Sequence, residues 1–311
     1  MSLVKPLAIA VTAVALFTLA TAAPAFAHTD QLDAGDVWTS WVPDPLAILL
    51  VFGFGYLYAR GLRDWWPRSR PVHRWQVVSY YAGLAAMFIA LISPLDPLAD
   101  HLFFVHQIQH LLLRIAGPVL ILLGAPLTPI LRGLPHGLRM SVIPPVVSNP
   151  LARRAYQWAT HPVIIPALFL LVLYVWQFPL AHDAALKSLW VHYLMHLTMT
   201  VSSMLFWWLI IDPKPHRSRL HYGVRVLIMA VTILPNTVLG AVIVFAERGL
   251  YDGYGLTRPF SIVPLADQRW GGLIMWLSAD MMTVSTAAVI FGMWYAREQQ
   301  QTVRSGRQPA G

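Results

Sequence analysis

Apolar and polar residues along this chain come in long alternating blocks. Seven apolar runs, near residues 45–60, 76–93, 103–125, 163–180, 189–211, 225–246 and 271–295, are separated by shorter polar stretches. A helix rises about 1.5 Å per residue, so roughly 20 apolar residues cross the hydrocarbon core of a bilayer. The pattern predicts an all-α polytopic membrane protein with seven transmembrane helices. A further run inside residues 1–27 differs in kind. Lys5 gives a positive start, LAIAVTAVALFTLATAA an apolar core and Ala25-Phe26-Ala27 an A-x-A cleavage site, the make-up of a secretory signal peptide. The expected organisation is a signal peptide at 1–27, a periplasmic N-terminal segment at 28–44, a seven-helix membrane domain at 45–296 and a disordered cytoplasmic tail at 297–311.

The loops predict an orientation. Arg60, Arg63, Arg68, Arg70 and Arg74 follow the first run, Arg132, Arg139, Arg153 and Arg154 the third, Lys214, Arg217 and Arg219 the fifth, and Arg297, Arg304 and Arg307 the seventh. The opposite loops hold Asp96, Asp100, Asp183, Glu247, Asp252 and Asp267. Positive loops stay in the cytoplasm, which puts the N-terminus in the periplasm and the C-terminus inside. The formal net charge of +8 therefore reads as a topology signal and not as a nucleic-acid-binding face. A composition 57% hydrophobic and only 12% charged excludes a soluble domain of this length. With no cysteine in the chain, disulfides and thiolate metal chemistry are excluded, leaving His, Met, Asp and Glu as metal donors.

Two of the runs carry ionisable groups. In HLFFVHQIQHLLLRIAGPVLILLGAP, residues 101–126, His106, His110 and Arg114 recur every four residues and share one helix face. In LWVHYLMHLTMTVSSMLFWWLII, residues 189–211, His192, Met195, His196 and Met199 also share one helix face. Such groups are costly in a membrane unless they meet a partner, a cavity or a metal. With the expected orientation both histidine pairs lie in the extracytoplasmic half, and the seventh run brings Met275 and Asp280 into that layer. One intramembrane histidine alone reads as a packing residue, and one methionine as core filling. Two i,i+4 histidine pairs at one depth point instead to a ligand or cofactor site. Imidazole with thioether suits copper, Met favouring Cu(I), whereas Mg²⁺ or Ca²⁺ would want more carboxylates.

The remaining candidates are subsidiary. Cleavage after Ala27 would expose His28, whose amine and ring nitrogen could chelate Cu(II) together; the bland alternative, that it merely follows the cut, is preferred for a single residue. Asp280 lies about 140° around a regular helix from Met275, so both face one small site only if that helix is distorted. Arg114 and Asp280 are the deep opposite charges, and a pair between them would account for both being tolerated. Gly53, Gly55, Gly117 and Gly124 are placed to let helices approach closely, and Pro235 should kink the sixth span. There is no G-x-x-x-x-G-K, G-x-G-x-x-G or H-E-x-x-H element.

HQIQHLLLRIAGPVLILLGAPLTPILRGLP, then HYLMHL, then ADQRWGGLIMW together resemble the caa3-type CtaG family of cytochrome c oxidase assembly proteins, over about residues 45–296. The resemblance implies a bacterial inner-membrane protein needed to make active haem–copper oxidase, by helping copper reach the enzyme. It carries over His106, His110, His192 and His196 as site residues, and Asp267 and Gln268 as motif residues without an assigned role. The expected partners are haem–copper oxidase subunits, periplasmic copper chaperones and the lipid bilayer. The expected mechanism is capture and ligand exchange rather than catalysis. Two alternatives stay open: a haem-binding electron carrier, with histidines of facing helices as axial ligands, and a copper permease.

Overall fold

The computed structural model describes residues 37–63, 72–213, 220–254 and 259–305. The expected signal peptide and His28 lie outside the described residues. The main helices are α1 (Pro45–Arg63), α2 (Arg74–Ile92), α3 (Phe103–Leu123), α4 (Ile164–Gln177), α5 (Pro179–Lys187), α6 (Leu189–Ile211), α7 (Tyr222–Phe245), α8 (Pro264–Leu273) and α9 (Ala279–Ser305), with no strand among the described residues. Helices α1, α2, α3, α6 and α7 are each long and apolar enough to cross a membrane.

The fourth and seventh expected spans take other forms. Helix α4 has 14 residues, about 21 Å of rise against a hydrocarbon core of about 30 Å. Together with Pro150–Ala159 it makes a pair bent by 66°, so among the described residues five helices, or six if that pair is one span, are long and apolar enough to cross a membrane. At the C-terminal end α8 passes into α9 through a wide π-helical turn, Ile274–Ser278, and the apolar stretch beyond it is Thr283–Gly292. Helix α9 then runs on to Ser305, past the expected boundary at 296. Residues 297–305 are thus helical instead of a disordered tail: Arg, Glu and three Gln favour helix, and no Gly or Pro interrupts them before Gly306.

Helix α3 is the centre of the molecule. About 67% of its span is buried, against 22–50% for the other four long helices. Helix α1 by contrast exposes Leu49, Phe52 and Tyr56, and α7 exposes Leu234, Val238, Val242 and Phe245, an apolar surface suited to lipid. Close backbone approach binds α2 to α3. A β-carbon added at Gly83 would stand 2.7 Å from the Ile121 backbone nitrogen, and one at Gly117 would stand 2.6 Å from Met87 Cε. At the end of α3 the Tyr58 hydroxyl donates to the Gly124 carbonyl at 3.0 Å, and the Tyr58 and Tyr80 rings stack at 3.8 Å. Gly53, expected at such a contact, faces open space: it lies on the outward side of α1, where composition cannot distinguish lipid from a neighbouring helix.

Two features fix α3 along its own axis. The Asp267 carboxylate, fully buried at the start of α8, accepts from the backbone nitrogens of Phe103 (3.0 Å) and Phe104 (2.9 Å), the first turn of α3. Those N–H groups have no partner within the helix, and a carboxylate also complements the positive end of its dipole. The next residue, Gln268, accepts from Leu250 N and donates to the Ile243 and Arg248 carbonyls, tying the α7–α8 loop down. Halfway along α3 the helix widens into a π turn over Leu112–Ala116, directly after the histidines. There the Trp207 indole nitrogen of α6 donates to the Arg114 carbonyl at 2.9 Å.

Gly83→Ala should destabilise the detergent-purified protein by about 1–3 kcal/mol, the usual cost of overpacking against backbone. Gly53→Ala should be neutral or slightly stabilising; equal melting temperatures for the two variants would contradict the α2–α3 contact. Asp267→Ala should cost about 1–3 kcal/mol for each N–H it leaves unpaired, visible as a lower melting temperature and less inserted protein, with Asp267→Asn intermediate.

Candidate metal centre

His106 and His110 project from the buried side of α3, with His106 fully buried and His110 4% exposed. His192 and His196 meet them from α6. Ring centroids stand 4.4 Å apart within each pair, and 5.5 Å (His106–His192) and 5.8 Å (His110–His196) between pairs. The two faces read from the sequence therefore do meet. One ring nitrogen from each of His106, His110 and His196 falls within 4.8 Å of the others. Donors about 2.0–2.1 Å from one tetrahedral ion stand about 3.4 Å apart, so closing this set takes at most about 1.4 Å of inward movement. His192 Nε2 and His196 Nε2, at 3.1 Å, are already near that spacing.

A hydrogen-bond chain settles how His106 is presented. His182, fully buried on α5, has Nδ1 3.0 Å from the Trp176 carbonyl and Nε2 2.7 Å from the Tyr254 hydroxyl. That hydroxyl is also 2.9 Å from His106 Nδ1. A carbonyl only accepts, so His182 Nδ1 carries the proton. Burial pushes the His182 pKa down to about 4, which keeps the ring neutral and leaves Nε2 as an acceptor. Tyr254 must then donate to His182, and its oxygen accepts from His106 Nδ1–H. The network thus assigns the His106 tautomer with a bare lone pair on Nε2. That nitrogen, and both nitrogens of His110, are buried without a hydrogen-bond partner.

Two carboxylates border the cluster from the loop between α2 and α3. Asp96 lies within 4.8 Å of ring nitrogens of both His192 and His196, and accepts from Gln109 Nε2 at 2.6 Å. Gln109 also donates to the Ala90 carbonyl at 2.7 Å. Asp100 Oδ1 is 3.5 Å from His192 Nδ1. Burial raises the pKa of Asp96 to about 7, against a lowering from the Gln109 bond, and burial with the neighbouring Asp96 raises that of Asp100 well above its usual range.

The other sequence candidates have the following neighbours. Met195 and Met199, both fully buried, pack with Trp176 and Ala185, and Met275 packs with Phe103, Leu173 and Tyr254. Arg114 and Asp280 do not pair. The Arg114 guanidinium lies 4.4 Å over the Phe169 ring and donates to the Phe169 carbonyl at 3.3 Å. Asp280 accepts from Asn236 Nδ2 (3.0 Å) and Thr237 Oγ1 (2.6 Å) of α7. The helix between Met275 and Asp280 is indeed distorted, by the π turn at Ile274–Ser278, and Asn236 Nδ2 reaches both the Met275 carbonyl and Asp280. Pro235 lies inside a helix that runs from Tyr222 to Phe245. Asp267 and Gln268 hold α3 and the α7–α8 loop in place; they are not among the ring donors.

Sequence reading missed His182 and Tyr254. His182 lies within the short helix α5, outside any repeat of histidines, and Tyr254 is 148 residues from His106. Only the excess of histidine near the apolar runs could have drawn attention to His182.

A family model described as "Cytochrome c oxidase caa3 assembly factor" matches residues 56–297, a range that takes in every residue of this centre. Similar curated proteins are uncharacterized proteins of Mycobacterium bovis and Mycobacterium tuberculosis, each 25% identical over 268 residues, and one of Mycobacterium leprae, 24% identical over 287 residues. The alignments cover 84% and 87% of this chain but only 39% and 42% of those proteins, so the chain spans about two-fifths of the length of the curated relatives it matches. No solved structure matches. With the family match running through α1 to α9 and through both histidine pairs, the chain belongs to the cytochrome c oxidase caa3 assembly factor family.

Proposed function

We propose that the imidazole cluster holds copper as cargo and that the protein passes it to haem–copper oxidase during assembly, by capture and ligand exchange and without catalysis. The observation that carries this reading is the set of buried, unpartnered nitrogens, His106 Nε2 and both of His110, beside His196. A buried polar atom left without a partner costs about 1–3 kcal/mol, and an ion between the rings would take up the lone pair of His106 Nε2 and the one lone pair that neutral His110 carries. Neutral imidazoles favour a borderline transition ion such as copper over hard cations. The oxidase enters through the family. The charge pattern of the loops supports an N-terminus outside a bacterial inner membrane, which would set the cluster toward the periplasm, with seven crossings if α4 and α9 each count as one.

Haem is the weaker reading. The rings touch one another at centroid distances of 4.4 to 6.2 Å, a spacing suited to a small ion and not to a macrocycle inserted between them. An absorption spectrum with metal analysis of purified protein separates the two, since Cu(I) is colourless. Copper accumulation in vesicles without any oxidase would mark a permease.

His110→Gln and His196→Gln should insert at normal levels but weaken Cu(I) retention by at least the roughly 10–100-fold that loss of a mere outer-shell partner costs. Oxidase activity in cells should fall, and added copper should partly restore it by mass action. Full activity of both variants under copper limitation would end the metal reading. Tyr254→Phe removes both bonds that set the His106 tautomer, and should weaken Cu(I) binding by about 10–100-fold in chelator competition while leaving the inserted level intact. Unchanged affinity would show that the tautomer does not matter.

A further inference from the structure

The cluster contains two overlapping donor sets. The inner set, His106, His110 and His196, is buried; the second, Asp96, His192 and His196, reaches the half-buried loop between α2 and α3. His196 belongs to both. The two sets are close: the His106 and His192 rings lie nearly parallel at 5.5 Å.

Asp96 and His192, the two members the inner set lacks, each have a neighbour on a further residue. Gln109 grips Asp96 from α3, between His106 and His110 in sequence. Asp100 Oδ1 lies 3.5 Å from His192 Nδ1, while Nε2 of the same ring lies 3.1 Å from His196 Nε2. A carboxylate backing an imidazole that faces a metal is a recurrent arrangement in metal sites. His192 is also more open than the inner rings, with 11% of its side chain exposed.

We propose that Asp96, His192 and His196 form an entry and exit position for the ion, from which it moves to His106 and His110 while His196 stays bound. The proposal rests on the copper reading above. Retaining one ligand means that the ion is never stripped bare between positions, which would otherwise expose a cation to an apolar interior. Because both positions need His196, they hold one ion between them and not two. The donor types differ in the matching sense: a carboxylate with two imidazoles at the open end, imidazole alone within, so the inner position is the one better suited to Cu(I).

The test uses the full chain in detergent, loaded with Cu(I), and follows transfer to a coloured Cu(I) chelator over time. Wild type should bind one ion. Asp96→Asn and His192→Gln should also retain one ion but release it several-fold more slowly, because the exit position loses a ligand while the inner position keeps its three. His106→Gln should instead lose retention. Release from both Asp96→Asn and His192→Gln at the wild-type rate, with one ion still bound, would overturn the two-position path and leave the copper reading standing. Binding of two ions by wild type would overturn the shared-ligand argument. No copper binding by wild type at all would overturn both readings. If Asp96→Asn fails to fold, His192→Gln decides alone, since it leaves the Asp96–Gln109 bond in place.

Discussion

Helix α3 carries His106, Gln107, Gln109, His110 and Arg114 into an apolar interior, and each of these polar groups has to be met there. That constraint arranges the neighbouring helices. Gln107 exchanges amide hydrogen bonds with Gln177 at the end of α4, at 2.7 and 3.4 Å. Gln109 joins α3 to the end of α2 and to the loop carboxylate Asp96. Arg114 spreads over Phe169 of α4, while its carbonyl takes the Trp207 indole proton from α6. Once these contacts are made, α4 and α6 are fixed against α3, and the histidines face whatever space is left. What remains beside them is chiefly other imidazole, from α5 and α6. Gln109 Oε1 and Arg114 Nε also lack a partner, but each of those side chains is held through another of its atoms, whereas His110 has no hydrogen bond at either ring nitrogen.

Much of this was legible in the sequence, for a definite reason. An i,i+4 repeat fixes direction around a helix, so the pairs His106–His110 and His192–His196 could be assigned to faces before any contact was known. Apolar length fixed the five long helices in the same way. What periodicity cannot supply is the lateral neighbour. Arg114 and Asp280 looked like partners because their charges are opposite and deep, yet the π turn after His110 ends the regular four-residue stepping before Arg114, and each charge finds closer company on the helix beside it. Gly53 and Gly83 look alike in sequence, but only Gly83 faces another backbone. His182 and Tyr254 were invisible because they lie on short loop-borne elements, and the bond that joins them to His106 spans 148 residues of chain.

Two of the three sequence elements that carry the family resemblance meet in one structural joint. The first begins at His106 and runs through Leu-Gly-Ala-Pro at 123–126; the second begins at Asp267. Asp267 caps the first turn of α3, and Gly271, one helical turn on, lies so close to Phe103 that an added β-carbon would overlap the ring. At the other end of α3, Gly124 lies against Tyr80, and its carbonyl takes the Tyr58 hydroxyl. Both ends of the histidine-bearing helix are therefore held by motif residues that need not touch an ion. This bears on how far a resemblance can reach. An acid and a glycine that position a helix would be required whatever that helix holds, so their presence argues for the fold and for the placing of His106 and His110. The chemistry has to be argued from the rings: from a tautomer that leaves His106 Nε2 bare, from two unpartnered nitrogens on His110, and from a third imidazole on α6 within reach of both. Substitutions that spare the joint and change only those nitrogens are the ones that separate cargo binding from architecture.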